Sequence, residues 1–297
     1  MSLPCSVRDL IPQKGKMGFE QTIIKTQPED SESTAIINRD NIFLDDGLQL
    51  SNIALIEYVN QLIAAAQGYN GKSNGKPGQK GLFVGVQEAK FIQPVYHGDC
   101  LTIKSFTTEE VSQVTFVQGI IERDGDRVAE LVTKLYEVKD ESEFNSLTDG
   151  GLLPKPKRDI PVSKSQPPVY LAFDMHRVLY SYLHDKSAGE DFISFKIACP
   201  EGFDPFDGHF PGNPILPGIV LFEIANLGLK LLLKKPVGLK YLKRMKISGV
   251  VHPYQVISCT VKIDKNSDPL VSFSAIFNDD GDREISKFTG TCGEGKE

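Results

Sequence analysis

Apolar and polar residues follow the same succession of patterns in each half of the chain. In residues 50–60 and 216–226 the apolar positions recur every three or four residues, as on one face of an amphipathic helix. Each helical segment is followed by stretches typical of β-strands, which continue to Tyr136 in the first half and to Phe288 in the second. The pattern therefore predicts, twice, an early strand, one central helix and several antiparallel strands.

The two helical segments align without a gap, which indicates an internal repeat. Glu57 in the first segment matches Glu223 in the second. Ser51 is predicted to cap the first helix, whereas Pro217 occupies the first turn of the second, and both residue types are favoured there. A carboxylate on an apolar helix is rarely fully buried unless it is paired or functional. Glu57 and Glu223 are therefore candidate functional residues.

A stretch rich in proline and charge separates the repeats, and this composition is typical of a linker. We predict an N-terminal domain over residues 1–140, a linker over 141–167 and a C-terminal domain over 168–297. A length of 297 residues fits two domains of ordinary size.

Composition excludes several classes of function. A hydrophobic share of 40% and a charged share of 24% are typical of soluble globular proteins, and a net charge of -6 disfavours nonspecific binding to nucleic acid. No apolar run is long enough to span a membrane, and the N-terminus lacks a signal-peptide core, so we expect a cytoplasmic location. The five cysteines are far apart and odd in number. We therefore predict no disulfide framework, no metal site and no cofactor.

The segment 208–223, GHFPGNPILPGIVLFE, carries the strongest chemical signal. His209 lies in a turn stiffened by glycine and proline, and histidine exchanges protons near neutral pH. Gly218 follows at the predicted start of the helix, where backbone N–H groups have no partner within the helix. A base beside a helix N-terminus is suited to abstracting a proton next to a carbonyl group.

This segment resembles the signature of the hot-dog-fold 3-hydroxyacyl-acyl carrier protein dehydratases, in which HFPG, a PG pair and an acidic helix follow in this order. The resemblance implies an α+β fold of two tandem hot-dog domains, each an antiparallel sheet wrapped around a central helix. In this family the working unit is a dimer. A tandem chain is expected to form that dimer internally, as a pseudo-dimer.

The resemblance also implies roles for the candidate residues. His209 would take the proton beside the thioester carbonyl, the N–H of Gly218 would hold the thioester oxygen, and a desolvated glutamic acid would protonate the leaving hydroxyl. The first half lacks the base, because Phe43 aligns with His209. Gln13 stands where related dehydratases have a histidine, and glutamine does not titrate near pH 7.

In homodimeric relatives the histidine and the acid come from different subunits. Carried over, this pairs His209 and Gly218 with Glu57 and leaves Glu223 opposite Phe43 in an inactive site. If the second halves paired between chains, Glu223 would be the acid instead. We favour Glu57, because a short tether raises the effective concentration of the partner half.

The expected partner is an acyl carrier protein, which is acidic and would dock on a basic patch. The candidate patch follows the second helix and consists of Lys230, Lys234, Lys235, Lys240, Lys243, Arg244 and Lys246. Further assembly of such chains into homo-oligomers is left open, and neither nucleic acid nor membrane is expected as a partner.

Two alternative functions remain at this stage. One is a hot-dog acyl thioesterase, against which the intact histidine motif argues. The other is a non-catalytic acyl-binding subunit, which would fit Leu227, because family helices usually continue with glutamine at that position. The remaining histidines are predicted to be surface or core residues: His97, His176, His184 and His252.

Overall fold

The computed structural model describes residues 2–27, 29–73, 75, 80–148, 160, 162–264 and 269–294. Within these ranges the helices are α1 Ala54–Ser73, α2 Glu141–Thr148, α3 Asp174–Ser181 and α4 Gly218–Leu233. The strands of the first half are β1 Cys5–Ser6, β2 Thr22–Thr26, β3 Asp30–Ile36, β4 Gln49–Leu50, β5 Lys80–Phe91, β6 Val95–Tyr96, β7 Cys100–Val111, β8 Val114–Arg123 and β9 Asp126–Val138. Those of the second half are β10 Leu183–Ala188, β11 Phe192–Ile197, β12 Val237–Ile247, β13 Ile257–Asp264, β14 Val271–Asp279 and β15 Glu284–Glu294.

The described strands, apart from the small β4–β6 pair, form one antiparallel sheet with the order β1-β2-β3-β7-β8-β9-β5-β12-β15-β14-β13-β11-β10. Read outward from its centre, the order is the same in both directions: β5, β9, β8, β7, β3, β2 on one side and β12, β15, β14, β13, β11, β10 on the other. This symmetry confirms the prediction of two tandem hot-dog units. Four strands, β1 to β4, precede the central helix of the first unit, and two, β10 and β11, precede that of the second, where the sequence pattern indicated one strand in each.

The two units join edge to edge through β5 and β12, which pair antiparallel with Ala89 opposite Leu242. Gly85 in β5 allows the close approach of the two strands. A Cβ atom at this position would lie 2.2 Å from the carbonyl oxygen of Met245, and its φ of 153° also favours glycine. The continuous sheet forms the predicted pseudo-dimer within one chain.

The two central helices lie against the sheet and are mostly buried. Along α1 the buried positions include apolar residues on several faces, as expected for a helix enclosed by a curved sheet. The α1 helix begins at Ala54 rather than next to Ser51. The prediction that Ser51 caps it is wrong, because the hydroxyl of Ser51 donates to the carboxylate of Glu223 on α4 instead.

The segment 141–167, predicted as a linker, begins with a folded element. Phe144 and Thr148 of α2 are buried, whereas residues 149–159 and 161 lie outside the described part of the chain. The domain limits 1–140 and 168–297 stay a prediction. None of the helices in the described ranges is long and apolar enough to cross a membrane.

Candidate active site

A cavity of about 290 Å³ lies between the two units and receives residues from both. Glu57 reaches it from α1, whereas His209 and Gly218 reach it from the second half. Most of the remaining wall is apolar and includes Phe83, Leu135, Phe210, Ile215, Leu221 and Ile247. The cavity thus combines three of the four predicted site residues with a surface suited to an aliphatic or aromatic chain.

His209 is oriented by a backbone hydrogen bond and by a ring contact. Its Nδ1 lies 2.9 Å from the carbonyl oxygen of Ile215, which can only accept, so Nδ1 carries the proton. The imidazole also stacks on Phe210, with 4.4 Å between ring centroids. Nε2 is therefore the unprotonated nitrogen. Burial lowers the pKa of His209 to about 4, which keeps the ring neutral and able to accept a proton at pH 7.

The loop that carries His209 is held by a segment from the other unit. The N–H of Lys14 donates to the carbonyl oxygen of Gly208 at 3.0 Å, and the ammonium group of Lys16 lies 2.7 Å from the carboxylate of Asp204. Gly208 has a φ of 81°, and a Cβ atom there would lie 2.1 Å from the carbonyl oxygen of Lys14. The glycine before the histidine is thus required by contact between the two units.

Glu57 is buried, with 5% of its surface exposed. The amide of Gln61 donates to Oε1 of Glu57 at 2.8 Å and to the carbonyl oxygen of Met17 at 2.6 Å, while its own oxygen accepts from the N–H of Phe19 at 2.9 Å. Burial raises the pKa of Glu57 to about 7, although the hydrogen bond from Gln61 opposes the rise. With Oε1 occupied as an acceptor, Oε2 is the oxygen available to carry a proton.

Gln61 is a site residue that the sequence reasoning missed. It follows Glu57 by four residues, the spacing at which Leu227 follows Glu223. The absence of glutamine at position 227 was recognised in the second half, and the same comparison would have revealed its presence in the first. Gln61 links the carboxyl group of Glu57 to the backbone by hydrogen bonds. Of the two glutamates, Glu57 is therefore the one followed by the glutamine that family helices usually have.

Gly218 is the first residue of α4 and lines the same cavity as His209 and Glu57. Its N–H belongs to the first turn, where the helix itself supplies no acceptor and the helix dipole favours negative charge. A Cβ atom at this position would lie 2.5 Å from Cδ1 of Ile247 and 2.9 Å from Cδ1 of Phe83. A residue with a side chain would therefore disturb the cavity wall.

Glu223, the fourth predicted site residue, lies apart from this cavity in a buried polar network. Nε2 of His176 donates to its carboxylate at 2.9 Å, Ser51 donates to it from the other unit, and Lys230 donates to Nδ1 of His176 at 3.2 Å. Burial alone would raise the pKa of Glu223, but the hydrogen bonds from His176 and Ser51 and the charge of Lys230 lower it. Glu223 is thus held as a carboxylate.

Among the described residues, the network around Glu223 leaves no free base. Burial and the charge of Lys230 lower the pKa of His176 to about 4, and both ring nitrogens already have partners. Phe43 is fully buried and lines a separate cavity of about 90 Å³ beside this network. The interpretation of His176 as a core histidine agrees with its burial, although the sequence did not indicate its contact with Glu223.

Lys230 also changes the predicted basic patch. It is mostly buried and belongs to the Glu223 network, so it is not available at a docking surface. The other members of the patch are exposed, and four of them lie on β12, which leads to the cavity wall at Ile247: Lys240, Lys243, Arg244 and Lys246. In the described part of the chain no three His, Cys, Asp or Glu side chains are grouped so as to hold a metal ion.

Comparisons with family models match each half separately. Residues 5–146 match the model of the ApeP-like dehydratases, and residues 185–287 match the model of the ApeI-like dehydratases. The unit that supplies Glu57 and the unit that supplies His209 thus resemble two different dehydratase types.

Similar individual proteins point the same way. A 3-hydroxyacyl-[acyl-carrier-protein] dehydratase FabZ from Oenococcus oeni is 33% identical over 107 residues, which are 33% of this chain and 76% of that protein. The enzyme of the same name from Lactobacillus helveticus is 36% identical over 88 residues, or 27% of this chain and 58% of that protein.

Solved structures show the fold alone, because their identities are low. The crystal structure of an oleoyl thioesterase (putative) from Lactobacillus plantarum has a TM-score of 0.60 at 12% identity and covers 90% of this chain and 97% of that one. The dehydratase domain of RzxB from Pseudomonas fluorescens has a TM-score of 0.53 at 13% identity, with coverages of 90% and 95%. Taken with the two dehydratase models and the FabZ relatives, the structure identifies this chain as a member of the hot-dog dehydratase family of hydro-lyases, in the form of a tandem double hot-dog.

Proposed function

We propose that this chain is a 3-hydroxyacyl-[acyl-carrier-protein] dehydratase, which converts a 3-hydroxyacyl thioester into a trans-2-enoyl thioester and water in fatty-acid or polyene-like synthesis. One observation carries the proposal. A neutral histidine and a glutamic acid of raised pKa enter one apolar cavity from opposite units. These are the protonation states that a base and an acid need before dehydration begins. The relatives named for this reaction support the choice of substrate.

The proposed reaction begins at the carbon between the thioester and the hydroxyl-bearing carbon. Nε2 of His209 takes a proton from C2, and the thioester oxygen, which gains negative charge, accepts a hydrogen bond from the N–H of Gly218. Glu57 donates its proton to the hydroxyl on C3. The C3–O bond breaks, water leaves and the electron pair from C2 forms the C2=C3 double bond. Transfer of the proton from His209 back to Glu57 then restores both groups.

The proposed partner is the acyl carrier protein that delivers the substrate. Its acidic surface is complementary to the exposed basic residues of β12, which lie next to the cavity wall. The thioesterase alternative is disfavoured because the cavity also holds His209, a base that a thioesterase using a carboxylate to activate water would not need.

The proposal is tested with a panel of 3-hydroxyacyl thioesters on carrier protein or pantetheine, by following enoyl formation and thioester loss separately. Wild type is expected to form the enoyl product with the thioester intact. His209→Ala and Glu57→Gln should each lower turnover by about 10²- to 10⁴-fold, because each removes one proton-transfer group.

Glu223→Gln is the matched control, since Glu223 occupies the repeat position of Glu57 but lies in the other network. We expect its turnover to stay near that of wild type and its melting temperature to fall, because Lys230 loses a buried anionic partner. Loss of the thioester without enoyl formation would indicate the thioesterase. Wild-type binding without turnover would indicate the acyl-binding subunit, and an essential Glu223 with a dispensable Glu57 would overturn the proposed site.

A further inference from the structure

Asn60 lines the cavity one helical turn after Glu57 and is more than nine-tenths buried. Its Oδ1 accepts a hydrogen bond from the hydroxyl of Thr133 at 2.9 Å. The other acceptor near that hydroxyl, the carbonyl oxygen of Gly85, is farther away at 3.4 Å. The Thr133 contact therefore orients the amide of Asn60 and leaves its Nδ2 as a donor.

Nδ2 of Asn60 has no hydrogen-bond partner among the described residues, although it is buried. A buried donor without a partner destabilises a folded protein, and most such groups in proteins are satisfied. In an otherwise largely apolar cavity, a polar atom of a bound ligand can supply the missing acceptor. The amide thus marks a position where the substrate is expected to have an oxygen.

The helix geometry indicates which oxygen this is. Residues three apart on a helix are neighbours, with about 5–6 Å between their Cβ atoms. A group close enough to receive a proton from Glu57 is therefore also within reach of Asn60. In the proposed reaction that group is the hydroxyl on C3.

We propose that Asn60 is a substrate-binding residue whose Nδ2 donates a hydrogen bond to the C3 hydroxyl oxygen, beside the acid Glu57. This inference rests on the proposed function. The contact would orient one lone pair of the hydroxyl towards the proton of Glu57 and would hold the water that forms. It would also let the enzyme distinguish a 3-hydroxyacyl chain from a saturated one, because the saturated chain leaves the amide without a partner.

The repeat provides an internal control. Asn226 follows Glu223 by three residues, as Asn60 follows Glu57, and it is also buried. Its unpartnered atom among the described residues is the acceptor Oδ1 rather than the donor Nδ2. Asn226 lines the smaller cavity beside Lys230, away from His209. The same substitution at the two asparagines therefore separates an effect on the substrate from the general cost of removing a buried amide.

The test measures the binding of two pantetheine thioesters of equal chain length, a 3-hydroxyacyl ester and its saturated counterpart. Binding is measured on His209→Ala protein, because this variant is expected not to convert the 3-hydroxyacyl ester. Adding Asn60→Leu should weaken binding of the 3-hydroxyacyl ester by about five- to tenfold, the loss of one hydrogen bond. It should change binding of the saturated ester by less than about twofold. Adding Asn226→Leu should change neither affinity.

In protein that keeps His209, Asn60→Leu should lower kcat/KM by about tenfold or more, while Asn226→Leu stays near wild type. Should Asn60→Leu fail to fold, Asn60→Ser is used, because its shorter side chain keeps a polar group near Thr133 but does not reach the hydroxyl. Equal weakening of both esters, or of neither, would overturn the role of Asn60. Failure of wild type to dehydrate any 3-hydroxyacyl ester would instead overturn the proposed function.

Discussion

At the scale of single residues, the same cavity shifts the pKa values of the proposed acid and the proposed base in opposite directions. Burial lowers the pKa of His209 to about 4 and raises that of Glu57 to about 7, because it disfavours the charged form of each group. Tyr136 is the third titratable side chain that lines the cavity in the described structure. At neutral pH His209, the proposed base, is therefore free of its proton, while a large share of Glu57, the proposed acid, retains its own.

These shifts predict a bell-shaped pH profile of kcat/KM. Activity should rise as pH increases through about 4, where His209 loses its proton, and fall as pH increases through about 7, where Glu57 ionises. The profile is measured with a pantetheine substrate, so that titration of a carrier protein does not contribute. Glu223→Gln is the control, and its pH profile should have the same shape as that of wild type. Activity that keeps rising to pH 9 would show that Glu57 is not the acid.

At the scale of elements, α2 connects the first unit to the loop that carries His209. Its N-terminal end is anchored on the first sheet, where the hydroxyl of Tyr136 donates to Glu143 at 2.9 Å. At its other end, the hydroxyl of Thr148 accepts a hydrogen bond from Nδ2 of Asn213 at 3.0 Å. Next to Glu143 on the same helix, Phe144 packs edge-on against Phe210 with 5.5 Å between centroids. Phe210 in turn stacks on His209, so α2 supports the proposed base through an aromatic contact.

We therefore expect substitutions in α2 to affect catalysis without touching the reacting groups. Phe144→Ala should lower kcat by about tenfold, with a smaller change in KM, because the imidazole loses the support that aligns it. The acid limb of the pH profile should also move towards the ordinary pKa of histidine as water reaches the ring. Ser146→Ala, at an exposed position of the same helix, is the matched control.

Both variants are compared by steady-state kinetics and thermal melting. A lower melting temperature for Phe144→Ala with unchanged kcat and pH profile would mean that α2 contributes only to stability. A lower kcat and a shifted acid limb for Phe144→Ala would instead show that α2 positions His209, although its composition is typical of a linker.

At the scale of the whole molecule, the antiparallel pairing of β5 with β12 joins the two units of one chain into a pseudo-dimer. Glu57 and His209 then meet within the chain, whereas Glu223 is enclosed by His176, Lys230 and Ser51. Within the described ranges, the two units thus carry one candidate site.

This arrangement predicts the result of a complementation experiment. A chain with His209→Ala and a chain with Glu57→Gln are each expected to be inactive, and mixing or co-expressing them should restore no activity, because each site draws both groups from one chain. Specific activity of wild type should also stay constant on dilution. Recovery of about a quarter or more of wild-type activity after co-expression would show that the units pair between chains.

The sequence by itself determined the repeat, the order of elements and most of the candidate site residues. These features depend on local pattern: the helical spacing around Glu57 and Glu223, the strand alternation that follows, and the turn chemistry around His209 and Gly218. The mismatch of Phe43 with His209 leaves the first half without a base, and the resemblance to homodimeric dehydratases pairs His209 with Glu57. In the structure these two residues line one cavity, which Glu223 does not line, and their catalytic roles stay a prediction. The local pattern was sufficient because each of these features is formed by residues that lie close together in the sequence.

Only the tertiary structure decided which side chains, distant in the sequence, form hydrogen bonds around each glutamate. Ser51 donates to a residue 172 positions away, His176 to one 47 positions away, and no periodicity encodes such contacts. The unpartnered amide of Asn60 and the packing of α2 against the His209 loop likewise exist only once the units are joined. The opposite pKa shifts of Glu57 and His209 have the same origin, because burial and hydrogen bonding depend on the surrounding packing and not on the sequence neighbours.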